Sequence, residues 1–206
     1  MELGMQITIK NNFPSIQKRL GQLSDDIRDK ALASALNKVT DQARTQMTRE
    51  ITQEYNVKAA YVRDRLKITR ARWNKGAVAM QATLTGSGRN GRSRSANVIA
   101  FLEKSVTLAQ ARKRGKAGTL AQLHFQIKKS GGKKIIPGAF IGNKGRTVFI
   151  REGKARLPIK AVSTIDVPSM FNQRRINATV TQLIKDKLPS IFERDVKFYT
   201  DRFNAP

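Results

Sequence analysis

Ile136-Pro137-Gly138-Ala139-Phe140-Ile141, then Gly142-Asn143-Lys144-Gly145-Arg146, then Thr147-Val148-Phe149-Ile150-Arg151-Glu152-Gly153, run directly into Lys154-Ala155-Arg156-Leu157-Pro158-Ile159. Apolar runs at Ile135–Ile141 and Val148–Ile150 flank a polar turn rich in Gly and Lys, which is a hairpin pattern. Pro137 has no N–H to give a ladder, so the first strand is either an edge strand or begins there. Pro158 is expected to end the regular pairing that follows the second run. The stretch holds one acid, Glu152, and neither His nor Cys, so it lacks the groups of an active site.

Upstream, Met5-Gln6-Ile7-Thr8-Ile9-Lys10 alternates apolar and polar residues and predicts a short strand. Pro14 suits the first turn of a helix. Apolar residues then recur at Ile16, Leu20, Leu23, Ile27, Ala31, Ala35, Val39, Ala43, Met47 and Ile51, with Leu32 and Leu36 widening the stripe. Steps of three and four predict one amphipathic helix from about Ser24 to Gln53, with Ser24 and the acids after it at its start. Each strict step of four drifts about 40° around the helix, so the stripe must cross a sheet and then meet a further neighbour.

Lys58–Leu66 reads as a short helix, with Tyr55, Tyr61 and Trp73 as core aromatics or base-stacking groups. Ala77–Thr85 alternates through Val78, Met80, Ala82 and Leu84 and predicts a half-buried strand. Gly86–Ser95 is a loop of small residues carrying Arg89, Arg92 and Arg94; it reads as a DNA-tracking arm or as a surface loop that orders against a neighbour. Asn97–Leu102 is an apolar short helix or buried turn, and Leu123, Phe125 and Ile127 alternate in a further strand. Arg112, Lys113, Arg114 and Lys116 form a second basic loop, and Lys128, Lys129, Lys133 and Lys134 a third, which leads into the hairpin. All three loops could project from one side of a central antiparallel sheet. A helix opens near Pro168 and carries Met170, Ile176, Val180, Leu183, Ile184 and Leu188; Pro189 is expected to break or kink it before a last helix through Ile191, Phe192, Val196, Tyr199 and Phe203. The reading is α+β: a long N-terminal helix packed on a mainly antiparallel central sheet, with C-terminal helices. One domain of 1–206 is expected, divided at about 55 and 166 into helix, basic β-rich core and C-terminal helices.

The net charge of +25 with a pI near 11.2 calls for a polyanionic partner. Between Arg65 and Arg151 there are twenty Lys or Arg, half of the chain's 40, against one acid, Glu103. Cysteine is absent, which excludes disulfides and thiolate chemistry. No apolar stretch is long enough to span a membrane, no secretion signal is visible at Met1-Glu2-Leu3-Gly4, and the absence of cysteine fits a protein made in the cytoplasm. His124, the single histidine, sits between Leu123 and Phe125 and reads as structural or surface. The acids gather away from the basic centre, at Asp25, Asp26, Asp29, Asp41, Glu50 and Glu54 and near the C-terminus, which argues against metal-dependent phosphodiester cleavage. Neither a phosphate-binding loop nor a nucleophile elbow is present, so no catalytic residue, metal site or cofactor is expected.

The wording Pro137-Gly138-Ala139-Phe140-Ile141, Val148-Phe149, Arg151, Gly153-Lys154 and Arg156-Leu157-Pro158-Ile159 closely resembles the minor tail protein Z family, tail-completion proteins of long-tailed bacteriophages and prophages. The resemblance continues through Val167-Pro168-Ser169-Met170 and fits the order of helix, β region and helix across most of the chain. Where the family often has a Gly-Pro-Ser-type turn, this chain reads Ala161-Val162-Ser163-Thr164-Ile165-Asp166 and departs from the pattern. The resemblance implies a virion protein at the head-proximal end of the tail, in a ring that tail symmetry would make a hexamer. Its implied partners are the tail terminator protein, the end of the tape measure protein and the head-side connector proteins.

Double-stranded DNA, met without sequence specificity, would face Arg89, Arg92, Arg94, Arg112, Lys113, Arg114, Lys116, Lys128, Lys129, Lys133 and Lys134. Pro137, Gly138, Phe140, Phe149, Arg151, Leu157 and Pro158 would shape the hairpin that docks to a neighbour. The alternative is a non-virion DNA- or RNA-binding protein using the same loops, although no helix-turn-helix, zinc finger, RRM or KH signature is present. An enzyme acting on nucleic acid ranks last.

Overall fold

The computed structural model describes residues 5–10, 14, 16, 18, 21, 23–72, 80–88, 95–105 and 123–204. Its spine is helix α1, Asp25–Glu54, one residue later at each end than the periodicity predicts. Ser24 takes the N-cap position in extended geometry, but its side chain makes no cap bond. Its carbonyl accepts from Arg28 N at 2.9 Å instead. Asp25 and Asp26 place negative charge against the positive end of the helix dipole. Ala31, Ala35, Val39, Ala43, Met47 and Ile51 are all fully buried. The three alanines leave little more than backbone on that stripe, so a second helix can pack closely against it.

After the short helices α2 (Ala59–Arg63) and α3 (Val167–Phe171), that partner is α4, Arg174–Phe203. It runs antiparallel to α1: Arg175 meets Glu50 and Glu54 at one end, and Asp195 meets Lys38 towards the other. Ile176, Val180, Ile184, Leu188, Ile191, Phe192 and Val196 keep the three-and-four rhythm along the buried face. Of the break or kink expected at Pro189, the break does not occur: the helix is continuous through it. A proline inside a helix costs about 3 kcal/mol. Leu188, Ile191 and Phe192 are buried on either side of it, each offsetting about 1.5–3 kcal/mol, so tertiary burial outweighs the local break.

Among the described residues the pairings of the strands are antiparallel, as the α+β reading expects, and the strands are distributed over four short sheets. The first sheet covers α1. Strand β3 (Gln81–Gly86) lies between β1 (Met5–Lys10) and β2 (Leu66–Thr69), with Leu84 opposite both Ile7 and Ile68. Alternation on β3 turns Ala82, Leu84 and Gly86 into the core. Gly86 packs closely against Phe171, since a Cβ there would stand 3.2 Å from its ring and the ring would have to give. Strand β2 corrects the sequence reading, in which a helix continued to Leu66; the helix ends at Arg63. Val62 and Leu66 are four apart and both buried, so the strand imitates helical spacing at that point. A polar nucleus ties the two layers together. The carboxylate of Asp166 (1% exposed) accepts from Val167 N at 2.7 Å and Tyr61 Oη at 3.1 Å, with Arg65 Nε at 3.2 Å.

A second, smaller core holds Val98, Leu123, Phe125, Ala139 and Val148. Strands β4 (Ser95–Asn97) and β11 (Ser163–Ile165) pair beside a 3-10 turn at Val98–Phe101; β5 (Leu102–Ser105), β6 (Leu123–Phe125) and β7 (Lys134–Ile135) form another sheet. The last sheet is β8 (Phe140–Gly142), β9 (Thr147–Arg151) and β10 (Ile159–Ala161), with β9 in the centre. Asn97 joins these pieces: its amide donates to Val148 O at 3.0 Å and accepts from Val148 N at 2.8 Å and Ile99 N at 3.1 Å.

Two expectations for this region are overturned. The apolar run Ile135–Ile141 is not one strand, since Ile135 belongs to β7 and Phe140 opens β8 on another sheet. Pro158, in a cis peptide with Leu157, does not end the pairing, which resumes on β9 one residue later. Ala161–Asp166, where the wording departs from the family pattern, contributes strand β11.

Candidate nucleic-acid and docking interface

The hairpin turn demands an unusual backbone. Asn143, Lys144 and Gly145 all have positive φ, at 50°, 53° and 83°. Asn and Gly tolerate this region best, and Lys144 is carried between them. The turn closes through Arg146 N to Gly142 O at 3.2 Å and Asn143 Nδ2 to Thr147 Oγ1 at 3.3 Å. Gly142 allows the Phe149 ring to cross it, as a Cβ there would stand 3.0 Å from that ring. Phe149 stacks on Phe140 with centroids 6.0 Å apart, and the Arg151 guanidinium lies 5.1 Å over the Phe140 ring. Arg151 Nη1 also donates to the Arg156 carbonyl, which ties β9 to the loop before Pro158. The structure therefore unites Phe140, Phe149 and Arg151 in one stack and fastens the Leu157-Pro158 segment to it. Pro137 and Gly138 (φ 71°) form the exposed turn leading in.

β8 and β10 are the two edges of this sheet. Leu157 is 67% exposed, Ile135 44% and Ile159 39%, which leaves large apolar side chains beside unpaired strand edges. Lys144, Arg146, Lys154, Arg156 and Lys160 are exposed around them, and Glu152 is the sole acid from residue 140 to residue 160. These five cations are absent from the anion-facing set chosen on sequence. Their signal is nevertheless in the sequence, since with Arg151 they make six cations against one acid, but the motif reading gives this stretch to docking alone.

The sequence-chosen cations fall into three groups. Arg89, Arg92, Arg94, Arg112, Lys113, Arg114 and Lys116 lie outside the described residues. Lys128 and Lys133 are engaged within the chain. Lys133 Nζ lies 2.9 Å from Glu103, and Lys128 Nζ lies 3.1 Å from Glu54 and 5.7 Å from the Tyr55 ring centroid. Lys129 and Lys134 are exposed, with no acidic partner among the described residues. The Lys128 ion pair extends through Glu54 to Arg175 at 2.9 Å and on to Glu50 at 3.2 Å. The Arg175 hydrogen bond holds the Glu54 carboxyl below its ordinary range, with Lys128 assisting and partial burial opposing. The hydrogen bond to Glu54 raises Lys128, and burial pushes the Tyr55 phenol up.

Of the aromatics offered for stacking on bases, Tyr55 is fully buried, Tyr61 is half-buried beneath the Arg65 guanidinium at 3.5 Å, and Trp73 lies outside the described residues. His124 is half-buried between the buried Leu123 and Phe125. Among the described residues no group of three or more His, Asp or Glu is placed to hold a metal ion, and no helix is long and apolar enough to cross a membrane.

A comparison with curated proteins finds no match to the chain, and neither does a comparison with solved structures. A family model does match, that of prophage minor tail protein Z (GPZ), over residues 15–204 of the 206. The match takes in the long helix pair, the cation-rich β-sheets and the Phe140–Pro158 surface together, so the chain belongs to the minor tail protein Z family of phage tail structural proteins.

Proposed function

We propose that this chain acts as one structural unit that assembles into a ring, a hexamer if it follows tail symmetry, at the head-proximal end of the tail. There it helps join head to tail and guides the end of the DNA without catalysis. The observation that carries this reading is the β8–β9–β10 surface, where exposed Leu157 and Ile159 lie among six cations and a single acid. Apolar edges of this kind suit a protein neighbour: another copy, the tail terminator protein, the end of the tape measure protein or the head-side connector proteins. Unopposed cations suit phosphates, which they meet irrespective of sequence.

The test is a phage lysate in which the gene is inactivated and then complemented. Loss of the gene should leave unjoined heads and tails, or joined particles that fail to infect, as seen by negative-stain microscopy and titre on one sample. Complementation with Leu157→Ser should fail although the purified variant unfolds within about 0.5 kcal/mol of wild type, as surface changes usually do. Normal particles at normal titre without the gene would refute the reading and favour a nucleic-acid-binding role outside the virion.

A further inference from the structure

A groove of about 430 Å³ lies between α1 and α2, on the face of α1 away from α4. Arg44 and Arg49 from α1 and Arg63 from α2 line it, above Thr45, Thr48 and Thr52. None of the three arginines has an acidic partner among the described residues. Asp41 is the one acid on the lining, and both its oxygens are taken by Arg70, at 3.1 and 3.2 Å. Glu50 and Glu54 leave the helix on the opposite side, where Arg175 engages them. Three guanidinium groups therefore line one groove from both helices, and its one acid is paired with Arg70, an arrangement that gains from an anion.

The detail favours a phosphate. Arg44 is half-buried and held in place by its Nη2, which donates to the Arg63 carbonyl at 3.3 Å, while its buried Nε has no partner. The threonine hydroxyl protons are committed to helix carbonyls: Thr45 to Asp41 O at 3.0 Å, Thr48 to Arg44 O at 2.9 Å and Thr52 to Thr48 O at 2.9 Å. The donors left to the groove are guanidinium N–H groups, whose fork matches phosphate oxygens. Arg49 and Arg63 are exposed at its mouth, so a phosphate on the outside of a duplex can reach them without the duplex entering.

We infer that this groove binds backbone phosphates of double-stranded DNA, which puts part of the nucleic-acid contact on the long helix as well as on the basic loops. The inference rests on the proposed role at the DNA-holding end of the tail. The experiment measures the affinity of the full chain for a 30-base-pair duplex across a salt series. A polyglutamate peptide serves as a second probe.

Removing one phosphate contact should lower the slope of log K against log salt by about 0.9, so Arg44→Gln, Arg49→Gln and Arg63→Gln combined should lower it by about 2–3. Because Arg44 also holds α2, Arg49→Glu alone provides a variant at an exposed position; it should still weaken binding and lower the slope. A slope equal to wild type in both variants would overturn the inference. So would variants that lose polyglutamate binding while keeping DNA binding, which would mark the groove as a protein-docking site. Failure of the wild-type chain to bind the duplex at any salt would remove the DNA part of the proposed function and this inference with it. An intact wild-type slope that only Lys129→Gln with Lys134→Gln reduces would remove the inference alone.

Discussion

Along the seam between α1 and α4, charge is matched inside the molecule. Glu50 and Glu54 share Arg175, Glu54 also holds Lys128, and the buried Asp195 takes Lys38 at 2.7 Å. Across β8–β9–β10, six cations stand against Glu152, large apolar side chains are exposed, and the core beneath holds five buried residues. The difference teaches a division of labour. One region uses most of its apolar groups and several of its acids on itself, leaving Phe198 and Phe203 exposed only towards the end of α4; the other leaves its cations and apolar groups open, which suits assembly. With 15 acids against 40 cations, each acid drawn into the helix seam is one fewer to neutralise the surface elsewhere.

The largest effect should come from breaking the helix seam. Phe192 is fully buried on α4. Phe192→Ala should lower the unfolding free energy by about 3–5 kcal/mol, measured by urea denaturation, because the seam of two 30-residue helices cannot collapse around the gap. A loss below about 1 kcal/mol would show that the seam is looser than its burial implies.

A smaller effect should follow in the β half. Gly145 has φ 83° with open space where a Cβ would be, so Gly145→Ala should cost about 1 kcal/mol through backbone strain alone. Gly153→Ala is the control, since it also meets open space without a positive φ and should be silent in thermal unfolding.

The smallest effect concerns acid. Glu54's carboxyl lies below its ordinary value of 4.5 in the folded chain, so its ion pairs stabilise the fold above that value, and the contribution is lost as pH falls through the lower, folded one. Glu54→Gln should flatten the acid limb of a stability-versus-pH curve and change little near neutrality beyond a constant offset. An unchanged acid limb would mean the network of Glu54, Arg175 and Lys128 does not respond to protonation.

Legibility in the sequence followed the range of the interactions. α1 is readable to within a residue because seven apolar positions repeat along it at steps of four, and the hairpin is readable because Gly142-Asn143-Lys144-Gly145 states its own turn geometry. β2 is missed because Leu66 continues the spacing set by Val62. The continuity at Pro189 is missed because it depends on a helix far upstream. The same limit applies to charge. Lys133 and Lys128 resemble their basic neighbours until tertiary structure brings up Glu103 and Glu54. The Arg44, Arg49 and Arg63 groove is hidden because α1 is nearly balanced in total charge and imbalanced only around its circumference.

The antiparallel seam also sets a timetable for synthesis. Lys38 and Asp195 meet across 157 residues of chain. At about 5–20 residues per second, the ribosome takes roughly 8–30 s to deliver the second after the first. Throughout that interval the alanine-rich stripe of α1 has no α4 to cover it, and the nascent chain depends on the early strands, or on a chaperone, to shield it. The α1–α4 seam is thus a late event in translation, formed only when α4 emerges.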